Sequence, residues 1–225
     1  MTVGSAPEAT VPREGVREGL RERKKQLTRE ALVRASLELF IAQGYERTTV
    51  DEIAEAVEVS QRTFFRYFAG KEEVALASQN RIETHVKTLM RARPPEERPF
   101  EAMRNAVLAG WDTLGEAIGE SFPVSLHMRS YLLIESTPAL IAAHLRRSME
   151  LEEEMAALIA EREGLDPSDP RPRLAVAAFS GVMKVAGRLW SQGDDPSVQA
   201  LRDLMVASLD SFGPAMAPDW RSPAP

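Results

Sequence analysis

The sequence contains no cysteine, and this absence removes several classes of protein from consideration. Without thiols the chain forms no disulfide, iron–sulfur cluster or thiolate zinc site, and it has no cysteine nucleophile. It also lacks an apolar run approaching the roughly 20 residues that cross a bilayer. The N-terminal residues include no apolar segment of the kind found in signal peptides. We therefore expect a cytoplasmic protein with no membrane partner.

Recognisable catalytic motifs are also missing. Gly70-Lys71 lacks the upstream glycine and the preceding strand of a phosphate-binding loop. No Gly-x-Ser-x-Gly nucleophile elbow occurs. His85, His127 and His144 have no paired spacing for a metal ion. The sequence therefore predicts a protein that is not an enzyme and that uses no metal or cofactor.

Charge is unevenly distributed along the chain, whose net charge is −6. Residues 1–71 carry 12 Lys and Arg against 11 Asp and Glu, whereas the remainder carries 16 against 23. The strongest bias lies between Arg17 and Arg29, where six basic residues accompany two acidic ones. A basic segment on an acidic body suits local contact with nucleic-acid phosphates. A solvated arm of mixed charge that contacts no nucleic acid would have the same composition.

Apolar residues recur at helical spacing along most of the chain, and no alternating run typical of a β-strand occurs. The spacing predicts a helix from about Leu27 to Gly44, short helices at 50–57 and 60–67, and one continuous helix over 71–90. Further helices are predicted at 100–119, 123–134, 138–163, 171–191 and 196–212. We therefore expect an all-α fold.

Residues 50–67 have the layout of a helix-turn-helix, with two short helices joined by a turn at 58–60. Ala54 is small enough for the second helix to cross closely, and Phe64 and Phe68 are placed to anchor that helix. Its outward-facing residues could enter a DNA major groove: Gln61, Arg62, Thr63 and Arg66. A compact helical hairpin with a polar outer face would show the same spacing.

A longer pattern at fixed spacing surrounds this motif. It consists of Ala31, Phe40, Gly44-Tyr45, Thr48-Thr49-Val50, Ile53-Ala54, Val57, Val59-Ser60, Thr63-Phe64-Phe65, Tyr67-Phe68 and Lys71-Glu72. The pattern resembles the N-terminal DNA-binding domain of the TetR family of bacterial transcriptional regulators. It departs from the family at Glu58, where glycine is usual, so either Glu58 is left-handed or the turn relaxes.

The resemblance implies a homodimeric repressor that binds a double-stranded DNA operator. The residues implied in DNA contact are Arg23, Lys24, Lys25, Thr49, Gln61, Arg62, Thr63, Arg66, Tyr67 and Lys71. Of these, Thr49, Tyr67 and Lys71 would hold phosphates. Arg62 is the best candidate for reading a guanine, because its guanidinium can donate two parallel hydrogen bonds. The basic arm would follow the backbone or enter the adjacent minor groove.

The C-terminal part is expected to provide dimerisation and effector binding. The apolar helices at 171–191 and 196–212 resemble the family's dimer interface, a four-helix bundle, so we expect a homodimer through residues 171–212. Both helices could instead belong to the monomer core. Large, adaptable side chains in the middle helices could line a cavity for a small, largely apolar effector: Met103, Trp111, Phe122, His127, Met128, Tyr131 and Met183. A core without a cavity would use the same residues.

These expectations divide the chain into four parts. Residues 1–20 form a disordered arm, 21–75 the helix-turn-helix DNA-binding domain, 76–213 the helical effector-binding and dimerisation domain, and 214–225 a loose tail. The continuous helix over 71–90 would act as a rigid lever between the two domains. The alternative function, a helical adaptor for protein partners, leaves the pattern over 25–75 unexplained.

Overall fold

The computed structural model describes residues 13–118 and 122–216, and within these ranges the only regular secondary structure is α-helix. In chain order the helices are α1 (Arg13–Gln43), α2 (Val50–Ala56), α3 (Gln61–Tyr67), α4 (Lys71–Ala75), α5 (Ala77–Arg91), α6 (Pro99–Asp112), α7 (Leu114–Ile118), α8 (Val124–Ser136), α9 (Pro138–Arg162), α10 (Pro170–Ser191) and α11 (Val198–Ala215). The expected all-α fold is confirmed. None of the described helices is long and apolar enough to cross a lipid bilayer.

The first helix is longer than its apolar pattern indicates. α1 begins at Arg13, well before Leu27, and spans about 46 Å at 1.5 Å per residue. Residues 19–27 are exposed on every side of the helix, so this part has no buried face and no apolar period in the sequence. The arm expected to be disordered over 1–20 is therefore helical from Arg13 onward. Residues 1–12 lie outside the described chain.

The second half of α1 forms the core of the N-terminal domain with α2 and α3. Leu32, Leu37 and Phe40 are fully buried. They belong to one apolar cluster with Ile53 of α2 and Phe64 of α3. Neither short helix of the helix-turn-helix is long enough to be stable alone. Both therefore depend on this packing against the long helix α1.

Two helices that the spacing predicts as continuous are each divided in the structure. The helix over 71–90 is interrupted at Leu76, where α4 packs on α1 and α9 and α5 packs mainly on α6. The helix over 100–119 is interrupted at Thr113, whose hydroxyl donates to the Ala109 carbonyl oxygen at 2.8 Å. Such a bond competes with the backbone and bends a helix. At Leu76 the backbone stays close to the helical conformation, with φ −87° and ψ −3°. The Leu76 N–H still donates to the Glu72 carbonyl oxygen at 3.1 Å, and the Asn80 N–H to that of Leu76 at 3.0 Å, so α4 and α5 are nearly continuous.

The last four helices agree with their expected spans to within a few residues. α11 continues through Pro214 to Ala215, so the expected loose tail begins as helix. Residues 217–225 lie outside the described chain.

One apolar core runs from the N-terminal domain into the C-terminal helices. Leu32 shares a cluster of buried side chains with Trp111 and Met205, and the buried residues 74–77 belong to the same cluster. A second cluster fills the far end, between α6, α9 and α10. Because the two domains share packed side chains, a rearrangement of the C-terminal helices can reach the helix-turn-helix directly.

Candidate DNA-binding surface and ligand cavity

α2 begins with a capping box formed by Thr49 and Glu52. The Thr49 hydroxyl accepts from the Glu52 backbone N–H at 3.2 Å, and the Glu52 carboxylate accepts from the Thr49 backbone N–H at 2.7 Å. The Thr49 hydroxyl also donates to this carboxylate at 2.9 Å. These bonds lower the pKa of Glu52, with the Thr49 backbone bond contributing most. Both donors of Thr49 are thus occupied, so a phosphate that binds them must displace the Glu52 carboxylate.

A Schellman motif ends α2 and forms the turn to α3. The Val59 N–H donates to the Ala54 carbonyl oxygen at 2.9 Å, and the Glu58 N–H donates to that of Glu55 at 2.9 Å. Glu58 is left-handed, with φ 54°, and it is the only non-glycine residue with positive φ in the described ranges. The turn therefore keeps the geometry that glycine usually provides, with Glu58 under strain.

α3 carries a short face that is open to solvent. Its N-cap is Ser60, whose hydroxyl accepts from the Thr63 backbone N–H at 3.2 Å, while Phe64 is buried on the opposite side. Thr63 and Tyr67 are half-buried. The exposed residues are spaced so that they share one side of the helix: Gln61, Arg62, Phe65 and Arg66.

Two residues of this surface were not among those expected to contact DNA. Phe65 is 50% exposed, and its ring meets the edge of Phe64 at a centroid distance of 5.5 Å. Its i+4 spacing from Gln61 is the signal that places it on the outer face, where an aromatic ring can contact a thymine methyl group. Arg47 is exposed in the loop before α2 and lies two residues from Thr49, a position that suits a phosphate.

Lys71 is held by the protein itself. Its ammonium donates to the carbonyl oxygens of Tyr45 at 2.9 Å and Thr48 at 2.8 Å, and it lies 4.6 Å from the centroid of the Tyr45 ring. Burial, with smaller effects from neighbouring glutamates, raises the pKa of Tyr45 to about 12. These contacts tie the start of α4 to the loop that carries Thr49. They leave one ammonium N–H of Lys71 for a phosphate.

The basic segment implied in DNA contact is part of α1. Arg23, Lys24 and Lys25 are all exposed. Because the segment is helical, it can follow a phosphate backbone as it stands, whereas an extended path in the minor groove requires unwinding. Arg29, further along α1, lies 5.0 Å from the centroid of the Phe68 ring and braces the helix across the end of α3.

A cavity of about 270 Å³ lies among α5, α6, α8, α9 and α10. This volume is close to the lower end of the range for small-molecule sites. Four of the residues expected to hold an effector line it: Met103, Trp111, Tyr131 and Met183. Further apolar lining comes from Ile82, Val107, Leu151, Met155 and Phe179.

The other three residues expected to hold an effector, Phe122, His127 and Met128, are buried outside this lining. His127 is fully buried, and neither ring nitrogen has a hydrogen-bond partner in the described part of the chain. Burial lowers the pKa of His127 to about 4, so its ring is neutral at pH 7. Its ring centroid lies 6.4 Å from that of Trp111, which does line the cavity. Helical spacing identifies these residues as buried but does not distinguish a packed neighbour from a void.

The cavity wall also contains charged side chains, which the apolar pattern of the sequence does not predict. Four of them take part in three ion pairs: Glu83 with Arg147 at 3.1 Å, Lys184 with Glu152 at 2.9 Å, and Lys87 with Glu154. Burial raises the pKa of Glu83, although Arg147 acts in the opposite direction. Because these charges are already paired, they offer little attraction to a charged ligand. Glu135, His144 and Arg188 also line the cavity.

One side of α10 is apolar and exposed. Leu174, Val185 and Leu189 are 67%, 55% and 49% accessible, and exposed Gly181 continues the same helical stripe. A contiguous apolar stripe of this kind is typical of an interaction surface.

Both parts of the chain match known protein families. Residues 32–77, which include the helix-turn-helix, match the family of bacterial regulatory proteins described as the tetR family. Residues 97–216, which form most of the cavity, match the MftR C-terminal domain.

Two relatives are similar to the chain over most of their length. The chain is 46% identical over 206 residues to the HTH-type transcriptional regulator TcmR of Streptomyces glaucescens. This alignment covers 91% of each protein. It is 26% identical over 191 residues to MftR of Mycobacterium tuberculosis H37Rv, described as a mycofactocin biosynthesis transcriptional regulator. That alignment covers 85% of this chain and 92% of MftR.

Solved structures share the fold at low sequence identity. SmeT, solved in a complex with triclosan, superposes with a TM-score of 0.57 at 16% identity, covering 88% of this chain and 99% of SmeT. A TetR-family regulator from Syntrophomonas wolfei superposes with a TM-score of 0.56 at 15% identity, covering 86% and 98%. With a capped helix-turn-helix, matches to two family models and extensive identity to TcmR, the chain belongs to the TetR family of bacterial transcriptional regulators.

Proposed function

We propose that the chain is a homodimeric repressor that binds a palindromic operator in the cytoplasm and is released by a small, largely apolar effector. The observation that carries this proposal is the continuity of one apolar core from α3 to the cavity wall. A regulator of this kind needs a DNA-reading face and a ligand site that cannot move independently, and the shared core supports both requirements.

The DNA contacts divide by chemistry. We propose that Gln61 and Arg62 read base edges and that Arg66 contacts a base edge or a phosphate. Phe65 would contact a thymine methyl group, and Arg47 a phosphate. If roughly 6–10 phosphates are contacted per dimer, affinity should fall ~10³–10⁵-fold between 50 and 200 mM salt, despite the acidic net charge. A flat salt response would contradict this interface.

The exposed stripe on α10 supports the proposed dimer through residues 171–212. Val182 of α10 and Leu204 of α11 are half-buried and pack against the monomer core. The stripe defined by Leu174, Val185 and Leu189 is therefore the better test surface. Two such stripes related by a two-fold axis would form a self-complementary apolar contact.

The proposed release acts through packing and through a few polar contacts between the domains. Arg81 of α5 donates to the Ile118 carbonyl oxygen at 2.9 Å and pairs with Glu30 of α1 at 3.2 Å. Arg146 of α9 pairs with Glu72 of α4 at 3.3 Å. A ligand that spreads α5, α8 and α9 would shift these contacts and hence the angle between α1 and α4.

The test combines DNA binding with a ligand screen. A mobility-shift assay on the DNA upstream of the protein's own gene should show a salt-sensitive complex. Compounds that raise the Tm should then lower operator affinity, and moving a population from 99:1 to 1:99 requires ~5.5 kcal/mol of preference for the released state. If stabilising compounds leave operator affinity unchanged, the ligand-released mechanism is wrong.

A further inference from the structure

Tyr131 of α8 is a cavity residue whose phenolic hydroxyl packs closely against α10. Its side chain lines the cavity, and its ring lies 5.5 Å from that of Trp190. The hydroxyl approaches the backbone of α10 at Gly187, where an added Cβ would overlap the phenolic oxygen. The hydroxyl has no hydrogen-bond partner among the residues described in the structure. Gly187 therefore leaves room for a polar group at the edge of a mainly apolar cavity.

Two charged residues that line the cavity are neighbours of Tyr131 and Gly187 along their helices. Glu135 follows Tyr131 by one turn of α8, and Arg188 follows Gly187 in α10. Burial raises the pKa of Glu135, while Arg188 acts to lower it, so the carboxyl and the guanidinium influence each other. Across the described ranges, neither side chain forms a hydrogen bond or an ion pair.

This end of the cavity differs from the rest of its charged lining. The other charged lining residues already have partners within the protein: Glu83, Lys87, Glu152 and Lys184. A carboxylate, a phenol and a guanidinium without partners provide hydrogen-bond acceptors and donors in the cavity wall. Apolar atoms placed against them would remove water without replacing its hydrogen bonds.

We propose that Tyr131, Glu135 and Arg188 form a polar anchor that selects a neutral, apolar ligand carrying a hydroxyl group. The ligand hydroxyl donates to the Glu135 carboxylate and accepts from the Tyr131 hydroxyl or the Arg188 guanidinium. A ligand carboxylate is disfavoured relative to a hydroxyl because repulsion from Glu135 offsets its attraction to Arg188, while its charge still has to leave water. This inference rests on the proposed ligand-binding role of the cavity and adds the chemical group that the cavity selects.

The test uses two compounds of nearly equal shape, 2-naphthol and 2-methoxynaphthalene, with binding measured by equilibrium dialysis at pH 7. The anchor predicts at least roughly tenfold tighter binding of 2-naphthol, because one charge-assisted hydrogen bond is lost in the ether. Tyr131→Phe and Glu135→Gln should each reduce this preference about three- to tenfold. Glu116→Gln, an exposed substitution on α7 away from the cavity lining, should leave it unchanged.

Gly187→Ala tests the geometry without removing a polar group. The new methyl group must displace the Tyr131 hydroxyl, so the preference for 2-naphthol should decrease. If this variant does not fold, the combination of Gly187→Ala with Tyr131→Phe removes the overlapping oxygen, and it should fold with the preference reduced as in Tyr131→Phe alone.

Equal affinity for the two compounds, or no binding of either, would overturn the anchor. A preference that survives in the Tyr131→Phe, Glu135→Gln double variant would do the same. If 2-naphthol is preferred but does not change operator affinity in a mobility-shift assay, the anchor is supported and the proposed release mechanism fails. The two proposals are therefore tested by separate measurements.

Discussion

Replacing Glu58 with glycine is expected to stabilise the protein. Glu58 occupies the C′ position of the Schellman motif after α2, with φ 54°. Its side chain is exposed and makes no hydrogen bond or ion pair with any residue that the structure describes. The substitution therefore relieves backbone strain and loses no observed contact.

The size of the effect follows from two opposing contributions. A left-handed conformation costs an L-residue about 1–2 kcal/mol. Glycine loses more backbone entropy on folding, roughly 0.5–1 kcal/mol relative to alanine. The difference leaves about 0.5–1 kcal/mol in favour of Glu58→Gly. In a chain of this length 1 kcal/mol shifts the Tm by about 2–4 °C, so we expect a rise of about 1–4 °C.

Differential scanning calorimetry of Glu58→Gly and two control variants measures this effect. Gly164 ends α9 with φ 63° in the same motif, where the Leu165 N–H donates to the Ala160 carbonyl oxygen at 2.9 Å. No atom lies within 4 Å of an added Cβ at Gly164, so Gly164→Glu introduces the strain alone and should lower the Tm. Glu55→Gly, at an exposed site within α2, should also lower the Tm, because glycine inside a helix lowers the free energy of unfolding by about 1 kcal/mol. An unchanged or lower Tm for Glu58→Gly, with Gly164→Glu destabilised, would refute the reasoning.

Four further outcomes are expected from the same structure. Arg62→Ala should cost ~1–3 kcal/mol per half-site and relax specificity at one base step, measured by selection from a random DNA pool; a uniform loss across sequences would show that Arg62 contacts phosphate. Lys71→Met removes the donor to two carbonyl oxygens, so it should lower the free energy of unfolding in urea by about 1–3 kcal/mol and lower the affinity for all DNA sequences equally. An unchanged urea midpoint would limit the role of Lys71 to phosphate contact. Leu189→Asp should give monomers in sedimentation with operator affinity lost, whereas Met149→Asp, at an exposed site on α9, should remain dimeric; a tight Leu189→Asp dimer would exclude the α10 stripe. Because the pKa of His127 is lowered to about 4, the unfolded chain binds a proton between pH 6.5 and pH 4 that the folded chain does not, so the free energy of unfolding should fall by up to about 3 kcal/mol over this range. His127→Met should remove this pH dependence, and identical pH profiles for the two proteins would contradict the reasoning.

The helix-turn-helix could be predicted because its signals are local. Thr49 and Glu52 are three residues apart and bond to each other, so the capping box can be identified before any tertiary structure is known. Gly44, with φ 93°, ends α1 for a similarly local reason. Arg62 and Phe64 point in opposite directions because of helical geometry alone.

Lys71 shows where this local reasoning ends. Its position at the start of α4 suggests a phosphate contact, but its partners are the carbonyl oxygens of Tyr45 and Thr48, more than 20 residues earlier in the chain. Leu76 is similar, because a helical pattern continues through it while α4 and α5 pack against different neighbours. Packing between distant segments determines the partners of Lys71 and the neighbours of α4 and α5. The spacing of residues within one segment does not predict that packing.

The cavity depends even more strongly on long-range packing. Met103 and Met128 are the same residue type on apolar helix faces, yet only Met103 lines the cavity. Whether a buried side chain meets a neighbour or a void depends on how five helices cross, and helical periodicity is identical in the two cases. Gly187 is a similar case, since a glycine in an apolar helix usually indicates close approach of another helix. Here the close neighbour is the hydroxyl of Tyr131, so the same small residue that permits packing also positions a polar group for a ligand.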